Sequence, residues 1–154
     1  MSNYFEKVNK YSDNEFQLPE RGTTKAAGYD FYCPSDVIIP SFVKKIINNQ
    51  TNTFWDSNAD QVLSLENVKK IIKSLGLSPT LVPTGVKCHL DKNKYLELSV
   101  RSSTPLKYLL FCANGIGIID SDYYNNPDNE GEIFFQIINL SPYDIKIHKG
   151  DKIG

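Results

Sequence analysis

Several absences narrow what this chain can be. Among its 154 residues are three Cys, two His, one Met and one Trp. Cys33, Cys88 and Cys112 are odd in number and widely spaced, with no Cys-x-x-Cys pair and no His cluster at metal-ligand spacing. A disulfide framework or zinc module is therefore not expected, and the three are read as reduced structural thiols. His89 and His148 have no neighbouring ligand residues and are read as structural or exposed. No run approaches the roughly 18 continuous apolar residues of a membrane span, and the start, Met1 to Lys7, has no apolar signal-peptide core. The expectation is a soluble, cytoplasmic protein with no membrane contact. An excess of positive charge is also missing, since 17 Lys+Arg face 18 Asp+Glu for a formal net charge of −1. Without a basic footprint, direct nucleic-acid binding is not expected. The length suits a single domain over residues 1–154.

Strand signals are abundant. Short runs rich in Val, Ile, Phe and Tyr recur between turn residues at 37–40, 42–47, 81–90, 95–100, 108–113, 115–119, 132–139 and 143–148. Close spacing of short strands points to an all-β sandwich, barrel or jelly roll. The runs at 95–100 and 143–147 alternate apolar with polar, as a strand with one wet face should. Ile133-Phe134-Phe135-Gln136-Ile137-Ile138 does not alternate, so cover on both faces is expected, the second from a partner subunit. One segment departs from this pattern. Leu65, Val68, Ile72 and Leu75 fall at spacings of three and four, Ser64 can cap the start, Glu66 lies in the first turn, and Gly76 can stop the run. The spacing predicts one inserted helix at about 65–75, within an insertion at about 48–80 that opens on an Asn-rich stretch and contains Phe54-Trp55.

Three stretches could carry chemistry. In Asn114-Gly115-Ile116-Gly117-Ile118-Ile119-Asp120-Ser121-Asp122-Tyr123, small glycines let backbone approach a ligand, and an apolar strand then delivers a carboxylate and a flat ring. A hairpin with Gly bulges and a solvated Asp-Ser-Asp turn reads equally well from these residues alone. Arg101-Ser102-Ser103-Thr104-Pro105 offers a guanidinium, hydroxyls and turn amides, the donors of a phosphate cradle, or else a surface turn. Ala26-Ala27-Gly28-Tyr29-Asp30-Phe31 places a Gly and an Asp at an apolar strand entry.

In this order, and with Lys149-Gly150-Asp151-Lys152-Ile153-Gly154 after them, these stretches resemble the first four motifs of the trimeric dUTPase family over about residues 16–154. The resemblance implies a dUTPase-like jelly roll, or β-clip, assembled as a homotrimer with sites at subunit interfaces. The implied reaction is dUTP plus water to dUMP and pyrophosphate with Mg²⁺, which limits uracil entry into DNA. It further implies Asp120 as general base for the attacking water. Asn114 and the backbone of Gly117 through Ile119 would face the uracil edge. Tyr123 would stack on the deoxyribose and exclude a 2′-hydroxyl, Arg101, Ser102 and Ser103 would hold phosphate oxygens, and Asp30 would touch the metal through water.

Two departures from the family pattern matter. Tyr124-Asn125-Asn126-Pro127-Asp128-Asn129-Glu130 stands before Gly131-Glu132 where one residue is usual, which reads as a longer loop at a hairpin tip. The fourth motif ends at Gly154 without the following Gln or the Gly-rich fifth motif, so a chain cut short of its lid is expected, one that binds nucleotide weakly and turns over slowly. The alternatives are a dCTP deaminase-like enzyme and a non-catalytic or regulatory trimer in which the inserted helix, with Lys69, Lys70 and Lys73, docks a protein partner. The source reads as a bacterium or a phage-infected cell, from composition alone.

Overall fold

The computed structural model describes residues 4–48 and 64–154. The Asn-rich stretch beyond Asn48 and Phe54-Trp55 lie outside the described residues. In chain order the elements are β1 (Tyr4–Lys7), β2 (Val37–Ile39), α1 (Phe42–Asn48), α2 (Leu65–Ser74), β3 (Thr80–Pro83), β4 (Val86–His89), β5 (Leu96–Leu98), α3 (Ser103–Tyr108), β6 (Leu110–Cys112), β7 (Gly117–Ile119), β8 (Phe134–Asn139) and β9 (Ile145–Ile147). The strands pair antiparallel as β1 with β4, β2 with β9, β5 with β7, and a three-stranded β3-β8-β6 sheet. Phe31, Cys33, Ile39, Val82, Val86, Leu98, Leu110, Ile133, Phe135 and Ile137 form the core, with Phe31 edge-on to Phe135.

The β3-β8-β6 sheet has one dry face and one open face. Register pairs Val82 with Phe135 and Leu81 with Gln136, and strand alternation sends the first pair inward and the second outward. The outward set also includes Phe134, Ile138 and Phe111, and Leu81 and Phe111 remain 57% and 36% exposed. The expected cover on both faces of β8 is thus half supplied by the chain itself.

The run at 81–90 was expected as one strand and is two. Gly85 lies at φ +68 between β3 and β4, its N–H donates to Glu132 Oε1 at 3.3 Å, and a Cβ there would meet the Phe16 ring at 2.8 Å. The run at 42–47 is a helix, not a strand. Ser41 Oγ accepts from the Lys44 N–H at 2.9 Å while the Ser41 N–H donates to Asp144, and this cap outweighs the β preference of Val43, Ile46 and Ile47. A second helix not foreseen is α3, where Pro105 falls in the first turn and costs no hydrogen bond. The expected single helix is therefore one of three α-helices among the described residues, beside a short 3-10 turn at Asn9–Tyr11. β1 was also missed; it pairs with β4 over Tyr4 to Lys7.

The helix predicted at 65–75 is present as α2. Ser64 caps it by accepting from the Asn67 N–H at 3.3 Å, and Gly76 ends it at φ +64. No α2 side chain is buried, and Leu65 is 90% exposed, so α2 is no part of the core. No helix among the described residues is long and apolar enough to cross a membrane. The three cysteines are free, and burial pushes the Cys88 thiol up to about 11, which keeps it protonated. His89 stacks on Tyr4 at 4.9 Å, and His148 is exposed beside Asp36.

Candidate nucleotide site

A cavity of about 390 Å³ opens where β7 meets the loop that follows it. Asn114, Gly117, Ile119, Asp120 and Tyr123 all line it, together with Leu81, Leu98, Asp122, Asn129, Phe134 and Gln136. Local geometry explains the convergence. Gly115, at φ +70, turns the chain after β6, and the Ile116 N–H donates to the Asn114 carbonyl at 2.8 Å. β7 then runs antiparallel to β5, with Gly117 opposite Leu98. A Cβ on Gly117 would meet Leu98 Cβ at 3.2 Å and Asn114 Nδ2 at 3.4 Å, so glycine keeps both side chains close to the strand. Past Ile119 the Asp120 carbonyl accepts from the Tyr123 N–H at 3.1 Å, a turn that puts carboxylate and ring on the same mouth. The stretch walls a cavity, but the expected hairpin is not formed: β6 pairs with β8 and β7 with β5, so the strands on either side of the Gly115 turn go to different partners.

Charge at this cavity is one-sided. Among the described residues lining it, Asp120 and Asp122 are acidic and none is Lys or Arg. The basic candidate lies elsewhere. Arg101 and Ser102 are exposed just before α3, and Ser102 caps that helix without using its hydroxyl in a side-chain hydrogen bond. Neither these residues nor Ser103 line the cavity. Asp30 is also separate; its Oδ2 accepts from Lys152 Nζ at 2.7 Å, and an isolated antiparallel bridge within the chain joins Tyr32 to Lys152. One chain thus gathers the residues of the third motif and holds those of the first and second apart from it.

The family model for dUTPase matches residues 63–154. The chain belongs to the dUTPase family. A deoxyuridine 5′-triphosphate nucleotidohydrolase of Lactococcus lactis is 31% identical over 150 residues, which cover 97% of this chain and 76% of that one. Another, from Finegoldia magna, is 32% identical over 115 residues, 71% of this chain and 74% of its own. The crystal structure of a dUTPase from Streptococcus mutans superposes with TM-score 0.70 at 31% identity, over 97% of this chain and 88% of that one. A dUTPase of phage phi11 of S. aureus, described with a structural Mg(II) ion, shares the fold at TM-score 0.59 and 17% identity over 99% and 86% of the two chains. The dUTPase-like jelly roll expected from the sequence is the fold found.

Sequence reasoning did not single out Asn129, Gln136 or Asp122 as lining this dUTPase-family cavity. Gln136 was legible as the one polar residue in the apolar run 133–138, whereas Asn129 sits in the loop the family pattern does not share. Glu132, which closes the third motif, is buried, and burial pushes its carboxyl above the ordinary value of 4.5. The folded chain therefore binds that proton more tightly than the unfolded chain. Stability falls as pH rises from 4.5 through the raised value and is level above it. Glu132→Gln keeps an acceptor for the Gly85 N–H and removes the buried charge. Its thermal midpoint is expected above the parent's at pH 7, with the gap closing toward pH 4.5; a lower midpoint at pH 7 shows that the charge is paired well enough to stabilise.

Proposed function

We propose that the chain hydrolyses dUTP to dUMP and pyrophosphate, with the pyrimidine and sugar in the β7 cavity and the triphosphate on the Arg101-Ser102-Ser103 segment of a neighbouring copy. The observation that carries this is the division of charge just described. The carboxylates of Asp120 and Asp122 repel a triphosphate and nothing cationic in the cavity offsets them, while the chain's candidate phosphate donors lie outside it. Two further features support assembly. Leu81 and Phe134 belong both to the cavity and to the open apolar face of the β3-β8-β6 sheet, so a second copy seated on that face would also border the site. Trimerisation, general in the dUTPase family, would supply three such borders.

Within this reading each residue has a definite task. Backbone from Gly117 to Ile119 and the Asn114 amide offer the uracil edge paired donors and acceptors, some of which cytosine would leave unpaired. Tyr123 lies under the sugar and leaves no room for a 2′-hydroxyl. Asp120 takes the proton from a water directed at the α-phosphorus, and the Arg101 guanidinium with the two serine hydroxyls offsets charge moving onto the leaving pyrophosphate. The described residues contain no cluster of three His, Cys, Asp or Glu side chains that could hold a metal. Mg²⁺ would be carried chiefly by triphosphate oxygens, with Asp30, whose Oδ2 is paired with Lys152, as an outer contact through water. When bound, the ion would neutralise part of the triphosphate charge.

The test is pyrophosphate release from dUTP, dCTP and UTP with Mg²⁺ or EDTA. Hydrolysis of dUTP alone, lost with EDTA, is the expected result. Ammonia release from dCTP makes the chain a deaminase instead, and binding of dUTP without turnover makes it a regulatory member of the fold.

A further inference from the structure

The loop that departs from the family pattern, Tyr124–Glu130, grips Tyr123 from both ends. Asn129 Nδ2 donates to the Tyr123 hydroxyl at 2.8 Å and to the Glu132 carbonyl at 3.2 Å. The Tyr123 hydroxyl in turn donates to that same carbonyl at 3.2 Å. Asn126 Nδ2 donates to the Tyr123 carbonyl at 2.9 Å and to Asn129 Oδ1 at 2.8 Å, so one asparagine aligns the other. Asn129 Oδ1 also accepts from the Gly131 N–H at 3.1 Å.

The loop is itself anchored on its far side. Glu130 Oε1 lies 2.7 Å from Lys87 Nζ, its Oε2 accepts from the Asn9 N–H at 2.9 Å, and Asn125 Oδ1 accepts from Lys87 at 2.6 Å. Burial pushes the Lys87 ammonium down, but the Glu130 and Glu6 carboxylates outweigh it, and its pKa lies above the usual lysine range. Lys87 therefore carries its charge at neutral pH, and the anchor holds. Asn129 also lines the cavity beside Tyr123.

We propose that Asn129 is a positioning residue that fixes the Tyr123 ring and thereby sets the preference for a deoxyribose over a ribose triphosphate. The inference rests on the reading of Tyr123 as the sugar-stacking ring. Excluding a hydroxyl by contact requires a wall that does not yield, and a half-buried ring at a cavity mouth can swing about its side-chain bonds. Hydrogen bonds at its hydroxyl leave it one place to stand. Removing that tether lets the ring retreat and admits the 2′-hydroxyl, which raises kcat/KM for UTP through KM and changes kcat for dUTP little.

Four variants separate the layers: Tyr123→Ala, Tyr123→Phe, Asn129→Ala and the Tyr123→Phe/Asn129→Ala double, each assayed for kcat/KM on dUTP and UTP. Tyr123→Phe and Asn129→Ala are each expected to lower the dUTP-to-UTP ratio by about three- to tenfold, the worth of one hydrogen bond. The double variant should match Tyr123→Phe alone, because Asn129 then has no hydroxyl to hold. An unchanged ratio in Asn129→Ala, or a second full loss in the double, overturns the positioning role and leaves Asn129 a loop support. Should Asn129→Ala not fold, an unchanged ratio in Tyr123→Phe overturns the tether by itself. Tyr123→Ala tests the layer beneath: if it leaves the ratio unchanged, the sugar-stacking reading fails first.

Discussion

Asp120→Asn is expected to lower kcat for dUTP by about a thousandfold while KM stays within a few fold, as for loss of a group that acts in the transition state. The substitution is nearly isosteric, and the turn it sits in is held by main chain, since the Asp120 carbonyl and not its side chain receives the Tyr123 N–H. The carboxylate is exposed at the cavity mouth, so thermal stability should not move. A thousandfold corresponds to about 4 kcal/mol of barrier, too much for a lost solvation shell or a small shift in substrate pose. A fall of less than tenfold would mean that Asp120 is not the base. Asp122, the other carboxylate on this cavity, would then be the candidate, and Asp122→Asn should show the loss in its place.

What the sequence disclosed of this site follows from where its constraints are local. Gly115, Gly117, Asp120 and Tyr123 occupy one short stretch around β7, and the features they supply are set within a few residues: a left-handed turn, a close approach of Gly117 to the Asn114 amide, a carboxylate at the strand's exit, a ring one turn later. Such reasons survive in a linear string. The separation of Arg101, Ser102 and Ser103 from that stretch did not, because it depends on how the chain leaves β5 for α3 while β7 returns to pair with β5. Even the local form of that segment was misjudged: three residues of a phosphate-like turn are also a helix start once Leu109 closes it in the left-handed region.

The errors in the fold have the same origin. Val43, Ile46 and Ile47 carry strand preference, but Ser41 is buried with its hydroxyl directed at the Lys44 N–H and its own N–H satisfied by Asp144. That partner lies far along the chain, and no window of sequence contains it. β1 was invisible for a related reason. Tyr4-Phe5-Glu6-Lys7 is too short to show a period, and its pairing with β4 is a long-range choice. The cover on β8 was half legible: the lack of alternation is real, and the open face holding Leu81 and Phe111 is what a second copy would have to meet.

The loop at Tyr124–Glu130 turns on one glycine, and its substitution should be costly for both stability and function. Gly131 lies at φ +82, where a side chain is strained by about 1–2 kcal/mol. A Cβ there would sit 2.6 Å from the Tyr123 carbonyl oxygen, 2.9 Å from the Asn125 nitrogen and 3.1 Å from Tyr124 Cα. All three are backbone atoms, which cannot step aside as a flexible side chain would, and overpacking of this kind adds about 1–3 kcal/mol. Gly131→Ala is therefore expected to cost about 2–5 kcal/mol and to lower the thermal midpoint by about 5–15 °C at a fixed protomer concentration. The atom most displaced is the Tyr123 carbonyl, which the Asn126 amide also holds, so the ring should move with it. The dUTP-to-UTP ratio should then fall together with stability, unlike Asp120→Asn, where rate falls and stability does not. A midpoint within a degree of the parent's would show that the loop can open by a few tenths of an ångström without loss, and that it grips Tyr123 less firmly than its hydrogen bonds imply.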